Sequence, residues 1–487
     1  MNTDIPLQEP ESPTPATSVQ AQAFRDRLGL HNSELIARFQ SGDSTEKLLR
    51  ERSDFIDTLL SSAWRQFLPD SVGQAALIAV GGYGRQEMHP YSDIDILVLT
   101  EQDDNTFSFC DSTLDEAISA FMGFLWDIGL KPAQSVRTLR DCVEQAIHDQ
   151  TVMTNLMESR LILGAQSLYD ELWAAIAPDR IWSPTEFFAA KTDEQAARYT
   201  KYHDTAYKLE PNIKEGPGGL RDIQTINWIL KRYYNRHDVH LVQKGWLTEE
   251  EYAELIKARD FLWEIRFALH AMTGRCEDRL LFEYQQQLPT QFGVQNQNIT
   301  KAVEQFMQLY YRTVMGLERL NELIMQLFKE NALNLDQNTE NQVIDDCFQS
   351  VGSYVEVRHP DVFREQPLAL LKIFLLLQTH PDLKGIRAST IRLIRQHLYL
   401  IDEDFRTDPR ACKLFMSILR QRTGVTKQLR RMNRYGVLAA YLPAFGRVVG
   451  RMQYDLFHVY TVDEHTLFVV RNLRRFSLEQ NESTHPL

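Results

Sequence analysis

Residues 81–95 hold the densest set of groups suited to a single reaction: Gly81-Gly82-Tyr83-Gly84-Arg85, followed by Ser92-Asp93-Ile94-Asp95. Asp93 and Asp95 are two apart, and strand side chains alternate, so the spacing predicts both carboxylates on one side. Acids paired in this way hold Mg2+, with Mn2+ as an alternative, because hard divalent cations prefer carboxylate and phosphate oxygens. Cations so held steady the attacking and leaving oxygens of an in-line displacement at phosphorus. Gly81, Gly82 and Gly84 let the backbone approach a ligand closely and offer amides to phosphate oxygens. Arg85 adds a cationic fork and Ser92 a hydroxyl. We therefore read Asp93 and Asp95 as catalytic and metal-binding, and Gly81, Gly82, Gly84, Arg85 and Ser92 as nucleotide-binding. Each part has a plainer use, since Gly-Gly makes tight turns and Asp-x-Asp ends strands. Their order and strand context together favour the chemical reading.

Two strands must position these residues. Ala75 to Val80 is a short apolar run stopped by Gly81 and Gly82, and Ile94 to Leu99 is a second, rich in β-branched residues. Helical spacing from Phe24 to Leu68 predicts two helices before them. A helix over Ser112 to Gly129 is closed by Gly129 and the following Lys131-Pro132, and Gln134 to Thr138 is a third candidate strand. From Leu139 to about Leu333 nearly everything reads helical, with loops at Ile213 to Gly219 and Gln285 to Gln297. Asn334 to Asn341 reads as a linker, and another helical region begins near Val343. The expected architecture is a small α/β domain followed by predominantly α-helical domains.

Bulk properties narrow the function. A chain of 487 residues suggests roughly two to four units. Its net charge of -13 argues against nucleic acid as a partner. Five cysteines without Cys-x-x-Cys spacing argue against a zinc site or a disulfide framework, and point to a reducing cytoplasm. Residues 1–22, acidic and proline-rich, read as a disordered tail with no signal pattern. The longest apolar stretch, Leu368 to Leu377, is interrupted by Lys372 and is shorter than the ~20 residues a membrane span needs. It reads as a buried helix, with no membrane partner.

The stretch Gly-Gly-Tyr-Gly-Arg-Gln-Glu-Met-His-Pro-Tyr-Ser-Asp-Ile-Asp-Ile-Leu resembles the nucleotidyltransferase signature of the bifunctional uridylyltransferase/uridylyl-removing enzymes. That family modifies the nitrogen-signalling PII protein. Three further stretches resemble the same family: Lys214 to Asp222, Arg266 to His270 running on to Gly274-Arg275, and Phe457 to Thr466. The resemblance implies Mg2+-dependent transfer of UMP from UTP to a tyrosine of PII, with pyrophosphate leaving. It also implies an α/β nucleotidyltransferase domain over 23–165 and a helical associated domain over 166–333. After the linker come a helical domain over 342–450 and the start of a truncated HD phosphohydrolase domain over 451–487. His465 would be the first metal ligand of that HD site. The downstream His-Asp pair is not found after it, so the chain is expected to be an N-terminal portion without uridylyl removal.

Some readings remain open at this point. A third metal-binding carboxylate, common in such transferases, has no candidate in Ser135 to Thr138. Asp149 and Glu158 lie in apparently helical sequence, where either capping or a surface charge is the better reading of each. The Gly216-Pro217-Gly218-Gly219 loop is either an anion seat helped by Lys214 and Arg221 or a structural turn. The rival functions are an adenylyltransferase acting on glutamine synthetase and a non-catalytic nucleotide-binding module.

Overall fold

A computed structural model describes residues 15–68, 74–101, 112–130, 132–202, 208–236, 239–332, 341–454 and 459–476. Two units emerge. One joins residues 1–187 to 231–237 and 266–277, and the other joins 188–230, 238–265 and 278–487.

The first unit opens with helices α1 (Pro15–Gln40) and α2 (Thr45–Phe67). On α2 the buried Leu48, Leu49, Arg52, Ile56, Leu59, Leu60, Ala63 and Trp64 recur every three or four residues, which turns one face inward. There follow β1 (Ala75–Ala79), the one-turn helix α3 (Gly81–Gly84), β2 (Ile94–Thr100), α4 (Ser112–Asp127) and β3 (Pro132–Thr138). The run continues through α5 (Leu139–His148), α6 (Gln150–Met157), β4 (Arg160–Gly164) and α7 (Gln166–Ala175).

The strands form one mixed sheet in the order β3-β2-β1-β4. β1 runs antiparallel to β2 with Ala79 opposite Ile96, and β2 runs parallel to β3 with Asp95 opposite Ala133. A parallel pair needs a crossover, which α4 supplies. That helix stops where the Gly129 amide reaches the Trp126 carbonyl (3.0 Å) and the Leu130 amide reaches Leu125 (3.1 Å). Gly129 has φ +80° there, the left-handed cap that favours glycine. The core joins Ile56, Leu60 and Trp64 of α2 to Leu77, Ile96 and Val98 of the sheet and to Phe121 and Leu125 of α4.

Arg232 closes this unit from a distant part of the chain. Its guanidinium, 3% exposed, donates to the carbonyls of Ile176 (2.6 Å), Trp182 (2.6 Å), Ala177 (3.2 Å) and Ile181. Burial pushes its pKa down to about 10.

In the second unit lie most of α8 (Pro184–Lys201), α9 (Leu220–Tyr234) and α10 (Glu249–Thr273), and all of α11 (Ile299–Leu327). A second mixed sheet follows, in the order β5 (Gln342–Val343), β6 (Phe348–Val351), β7 (Tyr354–Val357), β8 (Gly385–Ile386). Helix α12 (Ala369–Thr379) lies between β7 and β8 in sequence; α13 (Ala388–Gln396), α14 (Pro409–Arg420), α15 (Val425–Arg434) and α16 (Val462–Phe476) come after. Leu370, Leu371, Ile373 and Phe374 of α12 are fully buried, as a core helix requires. No described helix is long and apolar enough to cross a membrane.

Three expectations change, and a fourth lies almost wholly outside the described residues. Helix α1 already runs from Pro15 and Ala21 is buried, so the last part of the expected tail is ordered by packing. β4 interrupts a region read as helical, because Arg160–Gly164 is short and flanked on both sides by helical patterns. The second sheet likewise breaks the helical reading from Val343, its strands being only two to four residues long. The expected linker lies outside the described residues except for Asn341.

Candidate active site

β1 ends at Ala79 and the chain turns at once into α3, while β2 carries Asp95 back beside it. The Val80 amide donates to the Asp95 carbonyl at 3.0 Å, which fixes the turn against the strand. The amides of Gly84 and Arg85 are taken by the carbonyls of Val80 (2.9 Å) and Gly81 (3.2 Å). A helix cannot use its first amides internally, so those of Gly81, Gly82 and Tyr83 lie at the open end of the turn.

Gly81 sits at φ +56°, and a Cβ there would stand 2.7 Å from Asp95 Oδ2 and 3.5 Å from Asn155 Oδ1. The missing side chain is what leaves space in front of the Asp95 carboxylate. Gly82 differs, since a Cβ there meets nothing closer than Arg85 Nη2 at 3.7 Å. We expect Gly81→Ala to lower nucleotidyl transfer about a hundredfold, the cost of misplacing a reacting group by about 1 Å. Gly82→Ala should change it less than about threefold by the same argument. Steady-state rates of the two variants would check this, and equal losses would refute it.

Asp93 is exposed one residue before β2, Asp95 is partly exposed within it, and Ile94 between them is buried. Burial thus alternates across the three residues. The Ser92 amide donates to the His89 carbonyl (3.2 Å), and its buried hydroxyl oxygen has no hydrogen-bond partner among the described residues. Such an atom is costly to bury unless something else meets it.

Arg85 does not stand free for a phosphate, as the sequence suggested. Its Nε donates to Glu87 at 2.9 Å and its Nη1 pairs with Glu158, whose side chain is 1% exposed. Glu158 thus stands at the C-cap of α6, one of the two roles read for it, with its side chain a buried partner of Arg85 rather than a surface charge. Asp149 does cap a helix, accepting from the Thr151 amide at the start of α6.

Other positioning groups escaped the sequence reading. The Tyr83 hydroxyl donates to Asp57 Oδ1 (2.5 Å), and Asp57 also accepts both Nη atoms of Arg160 (2.6 and 3.0 Å). Burial, reinforced by Asp57, pushes the Tyr83 phenol well above its ordinary range. Gly84 packs so closely that a Cβ would overlap the Glu158 carbonyl. The sheet neighbour of Asp95 on β3 is Ala133, flanked by Pro132 and Gln134, so that strand supplies no third acid.

The Gly216–Gly219 loop, in the second unit, is filled from within. The Gly218 amide donates to Asp222 Oδ2 (2.7 Å), and a Cβ on Gly218 would overlap the Val314 carbonyl of α11. Arg221 pairs with Glu215 (2.8 Å), and Lys214 lies 4.0 Å from Asp278. Of the two readings of Lys214, Gly218, Gly219 and Arg221, these contacts favour the structural turn, sealed by a carboxylate of its own helix, over the anion seat. His465 is exposed on the first turn of α16, beside the buried Asp463 and Glu464. Asp463 accepts from Gly450 N (3.2 Å) and Asn433 Nδ2 (3.3 Å), and Glu464 pairs with Arg430. No group of three metal-ligand side chains among the described residues includes His465.

A nucleotidyltransferase domain matches residues 61–160, the GlnD PII-uridylyltransferase family matches 186–325, and the uridylyltransferase GlnD third domain matches 348–441. The bifunctional uridylyltransferase/uridylyl-removing enzyme of Methylococcus capsulatus is 56% identical over 466 residues, 96% of this chain and 52% of that protein. Nearly the whole chain is thus similar to about half of that enzyme. Its namesakes in Nitrosococcus oceani and Azotobacter vinelandii are 50% and 46% identical, covering 94% and 96% of this chain and 51% of each relative. The chain thus spans about half the length of these uridylyltransferase/uridylyl-removing enzymes.

Proposed function

We propose that this chain transfers UMP from UTP to a tyrosine hydroxyl of a PII signalling protein. The observation that carries the reading is Asp95 facing the side-chain-free Gly81, with Asp93 two residues away at the mouth of β2. The phenolic oxygen bonds to the α-phosphorus, the bond to the bridging oxygen breaks, pyrophosphate departs, and the phenol proton is lost to solvent.

The donor set suits a hard divalent cation, Mg2+ or Mn2+: two carboxylates, the space in front of Gly81, and a buried Ser92 hydroxyl without a partner among the described residues. When bound, the cation would spread charge from the triphosphate as pyrophosphate leaves. Gly81 and Gly82 offer amides to phosphate oxygens. Arg85 keeps the turn in place through Glu158 and Glu87. The acceptor brings the nucleophile, so the chain's task is positioning and charge.

The test is incubation with labelled UTP, Mg2+ and PII, with and without EDTA. We expect label on PII, pyrophosphate release, and at least about a hundredfold loss on chelation, in line with electrostatic catalysis. Label passing from ATP to glutamine synthetase would favour the adenylyltransferase reading. Binding of UTP with no labelled acceptor would favour a non-catalytic module.

A further inference from the structure

The nine residues Arg85 to Asp93 join the glycine turn to the first acid, and their backbone is not relaxed. Gln86 and Tyr91 both have φ +59° without being glycine. Such conformations persist only where the surroundings impose them. Met88 and His89 are 1% and 0% exposed, so the middle of this loop is held inside the first unit.

The holding groups come from the last two turns of α10, nearly 180 residues downstream. His270, fully buried, lies with Nδ1 2.7 Å from the Pro90 carbonyl. A carbonyl only accepts, so Nδ1 carries the proton and donates. His89 Nδ1 lies 3.2 Å from both Arg266 Nη1 and the Glu87 carbonyl; a guanidinium only donates and a carbonyl only accepts, so Nδ1 serves one of them at a time, and with Nδ1 unprotonated it accepts from Arg266. The His89 and His270 rings meet edge to face at 5.7 Å. Between them in sequence, Phe267 is fully buried with its ring 4.3 Å from that of Phe39 on α1, which fixes the rotation of this part of α10.

We propose that His270 is a positioning residue for the metal-binding edge: its bond to Pro90, backed by Arg266 on His89, sets where Asp93 stands. Pro90 is three residues before Asp93, and the left-handed Tyr91 lies between them. A loop released at Pro90 would relax Tyr91 and swing Asp93 away from Asp95. This role rests on the transferase reading, but the clamp itself does not.

Three substitutions separate the bond from mere packing. Asparagine places an amide N–H near the Nδ1 position, glutamine places it one bond further out, and alanine has none. Hydrogen exchange of residues 86–93 should rise about tenfold or more in His270→Gln and His270→Ala, and stay near wild type in His270→Asn. UMP transfer should fall ~10–100-fold in the first two, as for lost partners of metal ligands. It should remain within about threefold of wild type in the third. The loss should lie in kcat, with the UTP KM little changed. Equal exchange in all three variants, or equal loss in all three, would overturn the clamp. The exchange pattern without any UMP transfer by wild type would leave the clamp standing and sink the transferase reading instead.

Discussion

Replacing Asp95 with asparagine is expected to reduce UMP transfer on the order of a thousandfold, the upper range for removing one preorganised electrostatic group. Asparagine keeps the size of the side chain, so Gly81 still faces an oxygen or nitrogen at the same place and the fold should be unchanged. What is lost is the negative charge that attracts a divalent cation. Asp93→Asn should act in the same direction, and the double variant should be no worse than the poorer single one, since residues acting as a unit are not additive. Single-turnover rates, together with Mn2+ binding followed by electron paramagnetic resonance, would check both points. A variant that binds Mn2+ and transfers UMP as wild type does would remove the basis for the proposed chemistry.

The second large effect concerns stability. Asp222, 1% exposed, accepts from Arg198, from the Tyr199 hydroxyl (2.6 Å), from Gln195 Nε2 (3.1 Å) and from the Gly218 amide (2.7 Å). Asp222→Ala strands a guanidinium that is itself only 9% exposed, together with a buried amide and a phenol. Breaking a buried pair from one side costs ~3–5 kcal/mol. Asp222→Asn, which still accepts from Gly218, should cost less than half of that by the same reasoning. Urea unfolding followed by tryptophan fluorescence should resolve the two, Trp228 being in this unit. A shift below about 1 kcal/mol for the alanine variant would mean that the loop is held by other means.

Much of the sheet in the first unit was legible from residue order. β1, β2 and β3 each follow a signal that local physics explains: an apolar run stopped by glycines, a β-branched run after paired acids, and a strand after a glycine-capped helix. β4 was not legible, because its apolar run, Leu161-Ile162-Leu163, is only three residues long and lies between helical patterns. β5 and β8 are two residues long and exist only through their partners.

The candidate site divides in the same way. Asp93, Asp95 and Gly81 announce themselves by spacing, since a strand's period and a turn's φ are local properties. The partners of Arg85 and Tyr83 do not. Glu158 is 73 positions from Arg85, and Asp57 is 26 from Tyr83. An isolated arginine beside glycines looks like a phosphate ligand until its carboxylates are located. The Arg266 to His270 stretch was noticed as part of a resemblance, but nothing in its spacing reveals that it bonds Pro90.

The unit that contains the nucleotidyltransferase sheet is not a contiguous stretch of gene. Its side-to-carbonyl staple, Arg232, and its loop anchor, His270, are both encoded beyond residue 187, after the last strand of that sheet. A polypeptide cut at that point would carry every proposed catalytic acid and lack the two groups that hold the 176–182 and 87–92 segments in shape. During synthesis the same order holds: the acids leave the ribosome well before the parts that aim them, and the unit stays unfinished until the end of α10 has followed.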